Sequence, residues 1–496
     1  MAPRGSITDL LEETAARSPA ARALPGLDWA GVATTVRRLA GGLARAGIGP
    51  GDRVALFLPN RPGMLLLLLA LARRGACAVL LNTRFRAAEL RPLLARARPS
   101  AIAVARDFAA VDAASVLGAV PEEARASLRF AIGVDALGEE SVAGLPVLPL
   151  AALGTGAEAP DAASPEAECL TFTTSGTTAG PKLVLHRQHS IARHARDVAA
   201  YIDMDRRGAA FLAAVPLCGT FGLAAAMAAL AGGAAILPME RFDAAQADAL
   251  IRREGVTHLV GGDDLVLMLA DVAAAAYAPF AFTGFANFHG KAERVMAESA
   301  RLNLAARGVY GSSEAQALFA HQDPAGPFAA TGGGHPAGSE AGFRIAADGE
   351  LLLRGPSLFD TYLGDPEATA RAWTDGWFRS GDIACAQADG GFAFATRAGD
   401  ALRLGGFLVA PEEIESFLLS RPGVRAAQVV AHEGRAVAFI IPGAGFDEAA
   451  ILRACAAELA RFKQPARIVT LDDFPTTDGP NGRKVQRAKL REMARG

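Results

Sequence analysis

Cysteine is scarce in this 496-residue chain, and the five present (Cys77, Cys169, Cys218, Cys385 and Cys455) stand singly, without C-x-x-C spacing. That scatter argues against both a zinc site and a disulfide framework, and it makes a reducing cytoplasm the expected home. An excess of either charge is also missing, since 50 basic residues face 52 acidic ones for a formal net charge of −2. The chain therefore presents no general field to nucleic acid or to an acidic membrane, and any anion it binds must be held locally. Long apolar runs are absent too. The longest, Met64–Ala72, falls far short of a bilayer span and reads as a buried helix, while Met1–Leu10 carries no apolar signal core. What remains is a globular composition, 51% hydrophobic, with length enough for about two to four domains or subdomains.

Periodicity divides that length. Val32, Val36, Leu39 and Leu43 share one helical face that ends at Gly47, and Gly51-Asp52-Arg53 turns into a strand over Val54–Leu58. Pro59-Asn60 opens the apolar helix, and a strand follows at Ala76–Leu81, the strand-helix-strand order of a parallel α/β layer. Further apolar strands are expected at Ala101–Val104, Ala209–Val215, Ala234–Pro238, His258–Val260 and Leu304–Tyr310. Ala157–Glu168 reads as a linker. Beyond Ala341 the texture changes to short strands and hairpins, and from Gly399 a small α+β module begins, with helices at Pro411 and Glu448–Arg461 and strands at Ala426–His432, Ala436–Ile441 and Ile468–Leu471.

One stretch carries the most chemistry. Thr173 to Lys182 reads T-T-S-G-T-T-A-G-P-K, with an apolar strand leading in and another leading out, so a hairpin with a long polar tip is expected. Glycines let a backbone approach an anion, hydroxyls donate to it, and Lys182 adds a positive charge, which together suit a triphosphate. The run is not the standard nucleotide P-loop, because Pro181 precedes the lysine and Leu183 follows it.

Four more clusters follow in order. Tyr310-Gly311-Ser312-Ser313-Glu314 combines a face for a purine, a hydroxyl for a phosphate and a carboxylate for magnesium. Gly376-Trp377-Phe378-Arg379-Ser380-Gly381-Asp382 places an acid after a tight turn, and Asp382 can accept from both hydroxyls of a ribose. Thr396-Arg397-Ala398-Gly399-Asp400 runs on to Arg403-Leu404-Gly405-Gly406 at the start of the terminal module, where a hinge is expected. Lys484 lies in a basic run, Asn481 to Leu490. Taken singly, the first reads more readily as a plain turn and the last as a solvated basic tail, while the second is equally an ordinary turn acid and the third equally an interdomain turn.

Taken in order, these clusters resemble the adenylate-forming superfamily of acyl- and aryl-CoA synthetases, peptide-synthetase adenylation domains and luciferases. The likeness covers nearly the whole chain, with Gly51-Asp52-Arg53-Val54, Pro59-Asn60 and Leu81-Asn82 also where the family has them. It implies an α/β fold: a large N-terminal domain, 1–398, of two α/β subdomains plus a β-barrel-like subdomain, and a small mobile α+β C-terminal domain, 399–496. The implied reaction joins a carboxylic acid to coenzyme A through an acyl-adenylate, consuming ATP with Mg²⁺ and releasing AMP and pyrophosphate. By the same resemblance Thr173, Thr174, Ser175, Gly176, Thr177 and Thr178 would wrap the β- and γ-phosphates beside Lys182. Tyr310 would stack on adenine, Ser313 would touch the α-phosphate, Glu314 would carry Mg²⁺, and Asp382 and Arg397 would hold the ribose. Lys484 would bridge the carboxylate and the α-phosphate, and the Arg403, Gly405, Gly406 segment would reach the thiol site after a domain rotation.

The chain departs from the family in places. Ala179 and Leu183 stand where the phosphate loop commonly has glycine, and the usual aromatic gate has become Gly219, with Phe221 beside it. The segment beside adenine is Gly284-Phe285-Ala286-Asn287-Phe288-His289-Gly290, which makes Asn287 and His289, with Gly311, candidates for substrate contact. The hinge residue, commonly Asp or Lys, is Gly399. Ala224–Gly232, rich in small residues, either lines an acyl pocket or packs as a helix. The acid expected is a medium-chain, alicyclic or aryl monocarboxylate. Two other readings of the same motifs are an enzyme that loads a carrier protein's phosphopantetheine and a homologue that binds nucleotide or acyl-CoA with little turnover. Among protein partners only a second copy, as a homodimer, is considered, and the sequence does not fix the oligomeric state.

Overall fold

The computed structural model describes residues 5–105, 112–135, 141–174, 181–288, 290–400, 402–404, 407–409, 411–459, 461–479 and 482–495. The chain forms two compact units, Met1–Gly342 with Leu353–Phe378, and Phe343–Leu352 with Arg379–Gly496.

In the first unit, five strands expected or unremarked from sequence join in a parallel array. Leu145–Pro149, Phe130–Val134, Ala101–Ala105, Arg53–Phe57 and Cys77–Leu80 lie side by side, and Glu168–Thr174 adds parallel to the last. The chain then doubles back as Lys182–Arg187, antiparallel to Glu168–Thr174, and the short strand Thr361–Tyr362 closes that edge. The crossover helix Pro62–Arg73 is buried from Met64 to Ala72 because helices Ile7–Arg17 and Trp29–Arg45 and strand Cys77–Leu80 pack around it. A helix apolar on every side requires such enclosure. No described helix is long and apolar enough to cross a membrane.

A second array of strands in the same unit runs Ala235–Pro238, Ala210–Ala213, His258–Gly262, Phe282–Ala286 and Ala306–Ser312, all parallel, followed by the antiparallel strands Gln316–His321 and Gly333–Pro336. Its apolar core includes Leu212, Leu237, Leu259, Val266, Leu269 and Phe285, each at most 6% exposed. At about 25 cal/mol per Å² of apolar surface, burial on this scale dominates the stability of each layer.

The second unit holds the strands Phe392–Arg397, Trp377–Ala386 from Arg379 on, and Glu350–Arg354 up to Leu352 in one array. It continues through the hairpin Leu402–Leu404 and Phe407–Val409 and helix Pro411–Leu419 to a three-stranded sheet, Val424–His432, Arg435–Pro442 and Pro465–Thr470. The helix expected over Glu448–Arg461 stops at Glu458, where Leu459 turns extended and a 3₁₀ turn, Arg461–Lys463, leads to the strand opened by Pro465. The C-terminal basic run is ordered as strand Gly482–Val485 and helix Arg487–Met493.

Candidate active site

The hairpin with the polar tip is present: Thr174 pairs with Lys182 and Thr173 with Leu183, Thr173 being buried. The tip itself, Ser175, Gly176, Thr177, Thr178, Ala179 and Gly180, lies outside the described residues. Lys182 places its Nζ 4.3 Å from the ring centroid of Tyr362, within cation–π range. Tyr362 arrives there because its strand pairs antiparallel with Lys182–Arg187, Val184 facing Tyr362.

The Tyr310–Glu314 cluster forms the reversal between strands Ala306–Ser312 and Gln316–His321. A Cβ on Gly311 would come within 2.5 Å of the Ala317 Cα, so only glycine lets the two strands close here. Tyr310, at 6% exposure, sits opposite Ala320. Ser312 Oγ accepts from the Ala315 N–H at 3.2 Å, and Ser313 Oγ accepts from Thr220 Oγ1 at 3.3 Å. Glu314 is held twice, its carbonyl accepting from the Phe359 N–H at 2.8 Å and its Oε1 from the Tyr362 hydroxyl at 2.9 Å. Lys182, Thr220, the adjacent pair Ser313 and Glu314, and Tyr362, from four separate parts of the chain, are thus linked through these contacts.

Several residues behind that place escaped the sequence reading. His186 Nε2 donates to the Ser313 carbonyl and His194 Nε2 to the Ala317 carbonyl, each at 2.8 Å. Burial pushes both imidazoles down to about 4, so they are neutral donors near pH 7. Gln316, in left-handed conformation with φ of 60°, donates from Nε2 to the carbonyls of Ser190 at 3.1 Å and Ser357 at 3.0 Å. Two histidines soon after a hydroxyl-rich loop were the available signal. Their targets lie more than a hundred residues on, beyond the reach of spacing arguments.

On the side of Gly219, Asn60 acts as a clamp. Its Nδ2 donates to the carbonyls of Ala213 and Val215, and its Oδ1 accepts from the Leu217 N–H at 2.7 Å. Gly219 caps helix Thr220–Gly232, and Phe221 is buried at its first turn. The small residues of Ala224–Gly232 serve packing: the helix lies against helices Ile7–Arg17 and Gln188–Tyr201 and against strands of the second sheet. A Cβ on Gly232 would come within 2.4 Å of the Met204 carbonyl oxygen. Asn287 is exposed after strand Phe282–Ala286, its neighbour Phe288 is 55% exposed, and His289 lies outside the described residues.

In the second unit, Asp382 and Arg397 are cross-strand partners and form an ion pair, Arg397 Nε to Asp382 Oδ1 at 3.0 Å. The tight turn expected just before Asp382 is not there: Asp382 lies within strand Trp377–Ala386, the turn falls at Asp375-Gly376, and Gly381, with φ of +69°, takes a left-handed conformation inside the strand. Arg397 also donates to the Ser380 carbonyl at 3.0 Å. The backbone of Arg403 pairs with Leu408, and Gly405 and Gly406 lie outside the described residues. The backbone of Lys484 pairs with Thr477, and its side chain lies outside the described atoms. Arg487, from the same basic run, is partly buried and pairs with Glu415 at 2.9 Å and the Val429 carbonyl at 3.0 Å, which ties down the C-terminal helix. Arg491 donates to the Gly399 carbonyl and to Asp400 Oδ1, each at 2.6 Å.

Among the described residues no three His, Cys, Asp or Glu side chains gather as a metal-binding group. Glu314 offers instead one carboxylate with Oε1 already oriented by a phenol. A single carboxylate fits magnesium, which commonly takes its other ligands from substrate phosphates and water.

Comparison with known proteins identifies the family of the chain. The family model "AMP-binding enzyme" matches residues 11–363, and "AMP-binding enzyme C-terminal domain" matches 413–479. A 7a-methyl-1,5-dioxo-octahydro-1H-inden-4-yl-propanoyl:CoA ligase of Mycobacterium tuberculosis is 33% identical, covering 92% of this chain and 91% of its own. Sulfoacetate–CoA ligase of Cupriavidus necator is 32% identical, covering 94% and 92%. Among solved structures, o-succinylbenzoate CoA synthetase from Bacillus subtilis in complex with its acyl-adenylate intermediate superposes with a TM-score of 0.80 at 21% identity, over 97% of both chains, which speaks to the fold. The chain belongs to the AMP-binding enzyme family, the adenylate-forming superfamily that its ordered motifs resemble.

Proposed function

We propose that this protein is an AMP-forming acid–CoA ligase. The observation that carries the reading is the junction of Lys182, at the foot of the hydroxyl-rich hairpin, with Glu314 through Tyr362. In the first step a carboxylate attacks the α-phosphorus of ATP, forming the C–O–P bond of an acyl-adenylate as the bond to pyrophosphate breaks. Nucleophile and electrophile are both anionic, so catalysis rests on placed positive charge and on alignment. Thr173, Thr174 and the tip residues 175–178 cradle the β- and γ-phosphates with Lys182. Ser313 meets the α-phosphate, Tyr310 the adenine, and Asp382 with Arg397 the ribose. Glu314 would hold Mg²⁺, which would supply charge neutralisation of the phosphates. Lys484 bridges the carboxylate and the α-phosphate, a task that suits a flexible point charge. In the second step the thiol of coenzyme A attacks the acyl carbon and AMP leaves, with Arg403, Gly405 and Gly406 brought to the thiol by movement of the 399–496 domain.

The acid is an alicyclic or aryl monocarboxylate, or one of medium chain. Support comes from the bicyclic propanoyl acid named for the mycobacterial relative and from Gly219, which leaves the acyl side of Thr220 and Ser313 without an aromatic gate. Five free cysteines accord with a cytoplasmic setting. The test is ATP–pyrophosphate exchange over a panel of bicyclic, aryl and medium-chain acids, followed by AMP release with free coenzyme A. Lys484→Ala is expected to lower exchange by roughly 100- to 1000-fold, as for other groups that stabilise charge in a transition state. Exchange with no acid, or undiminished exchange by Lys484→Ala, overturns the mechanism; acylation of a carrier protein alone overturns the choice of thiol.

A further inference from the structure

Tyr362 belongs to none of the motifs that define the site, yet it touches two of them. Its hydroxyl donates to Glu314 Oε1 at 2.9 Å while its ring lies 4.3 Å from Lys182 Nζ. The side chain is itself firmly placed. Tyr362 is 6% exposed, its backbone N–H donates to Thr369 Oγ1 at 3.0 Å, and its ring packs on Phe359 with centroids 4.7 Å apart. Phe359 in turn grips the Glu314 carbonyl through its N–H at 2.8 Å. The segment 359–362 therefore holds both the backbone and the carboxylate of Glu314, and its tyrosine also meets Lys182.

We infer that Tyr362 is a positioning residue that orients Glu314 for a divalent cation and Lys182 for the triphosphate. The inference rests on the ligase reading above. A glutamate side chain loses rotamer freedom when it ligates, and one already hydrogen-bonded through Oε1 has lost much of it beforehand. The ring restrains the lysine by its face, a contact any aromatic of that size supplies, whereas only the hydroxyl restrains the carboxylate. The two functions are therefore separable by substitution.

Tyr362→Phe keeps the ring and removes the hydroxyl; Tyr362→Leu removes both. The probe is Mn²⁺ with an ATP analogue whose α,β-bridge is methylene, bound Mn²⁺ being counted by electron paramagnetic resonance and the metal-free analogue measured by calorimetry in chelator. A hydrogen bond to a charged acceptor is strong enough that Tyr362→Phe should weaken Mn²⁺ binding about 10-fold. Metal-free analogue should bind Tyr362→Phe as it binds wild type and bind Tyr362→Leu severalfold more weakly. The Mg²⁺ needed for half-maximal exchange should rise in parallel with the Mn²⁺ constant. Unchanged Mn²⁺ affinity in a folded Tyr362→Phe protein, or equal weakening with and without metal, overturns the inference and leaves the ligase reading standing. Failure of the wild-type protein to bind the Mn²⁺–analogue pair overturns both.

Discussion

The turn around Glu314 and the segment around Gly399 are both pinned through backbone carbonyls, but by opposite kinds of group. His186 and His194 hold the first from full burial and without charge. Arg491 holds the second with a guanidinium, its side chain 36% exposed and its partner Asp400 28% exposed. Buried neutral bonds are indifferent to salt and costly to lose. Half-exposed ion pairs are screened and contribute about 0–1 kcal/mol. A group that must stay aligned is best fixed by the first kind, and the hinge proposed at Gly399 would be served by the second.

Acid should expose this difference most. His186, His194, His258 and His321, all in the first unit, are lowered by burial from 6.5 to about 4. Above pH 6.5 both folded and unfolded chains hold them neutral, so they add no pH dependence. Between 6.5 and about 4 the unfolded chain takes up protons that the folded chain refuses, and each histidine removes up to about 1.4 kcal/mol of stability per pH unit. Urea denaturation across that window should show a steep loss in the first unit; a flat profile would break the comparison. Next in size, His194→Leu should cost about 2–4 kcal/mol, because the Ala317 carbonyl is left buried without its donor, and the acid slope should fall by one proton. Smallest is Arg491→Ala, with a loss of at most about 1 kcal/mol that shrinks in high salt, accompanied by faster hydrogen exchange of the amides at 399 and 400. A cost as large as that of His194→Leu would erase the distinction.

Much of this was legible from local pattern. The strands near Val54, Ala76 and Ala101, the enclosed helix at Met64–Ala72, and the hairpin flanking the hydroxyl-rich tip all follow from alternation, apolar runs and turn residues, which act within a few positions. Helix Thr220–Gly232 shows where pattern stops: its alanines suited a pocket wall or a packed interface equally, and only its neighbours, helices Ile7–Arg17 and Gln188–Tyr201, assign them to packing. Tyr362 was overlooked because nothing in Leu358-Phe359-Asp360-Thr361-Tyr362 announces chemistry.

By itself, then, the sequence determined the order of the residue types for which nucleotide roles are proposed: hydroxyls and Lys182, then Ser313 and Glu314, then Asp382 and Lys484. Tertiary structure alone decided which of them are held and by what. The antiparallel pairing of Val184 with Tyr362 carries a phenol to Glu314, and a strand and a helix deliver His186 and His194 behind the same turn. Those contacts join positions from 48 to 178 residues apart. Local spacing contains no information about them, because sheet register and helix packing create them only when the chain closes on itself.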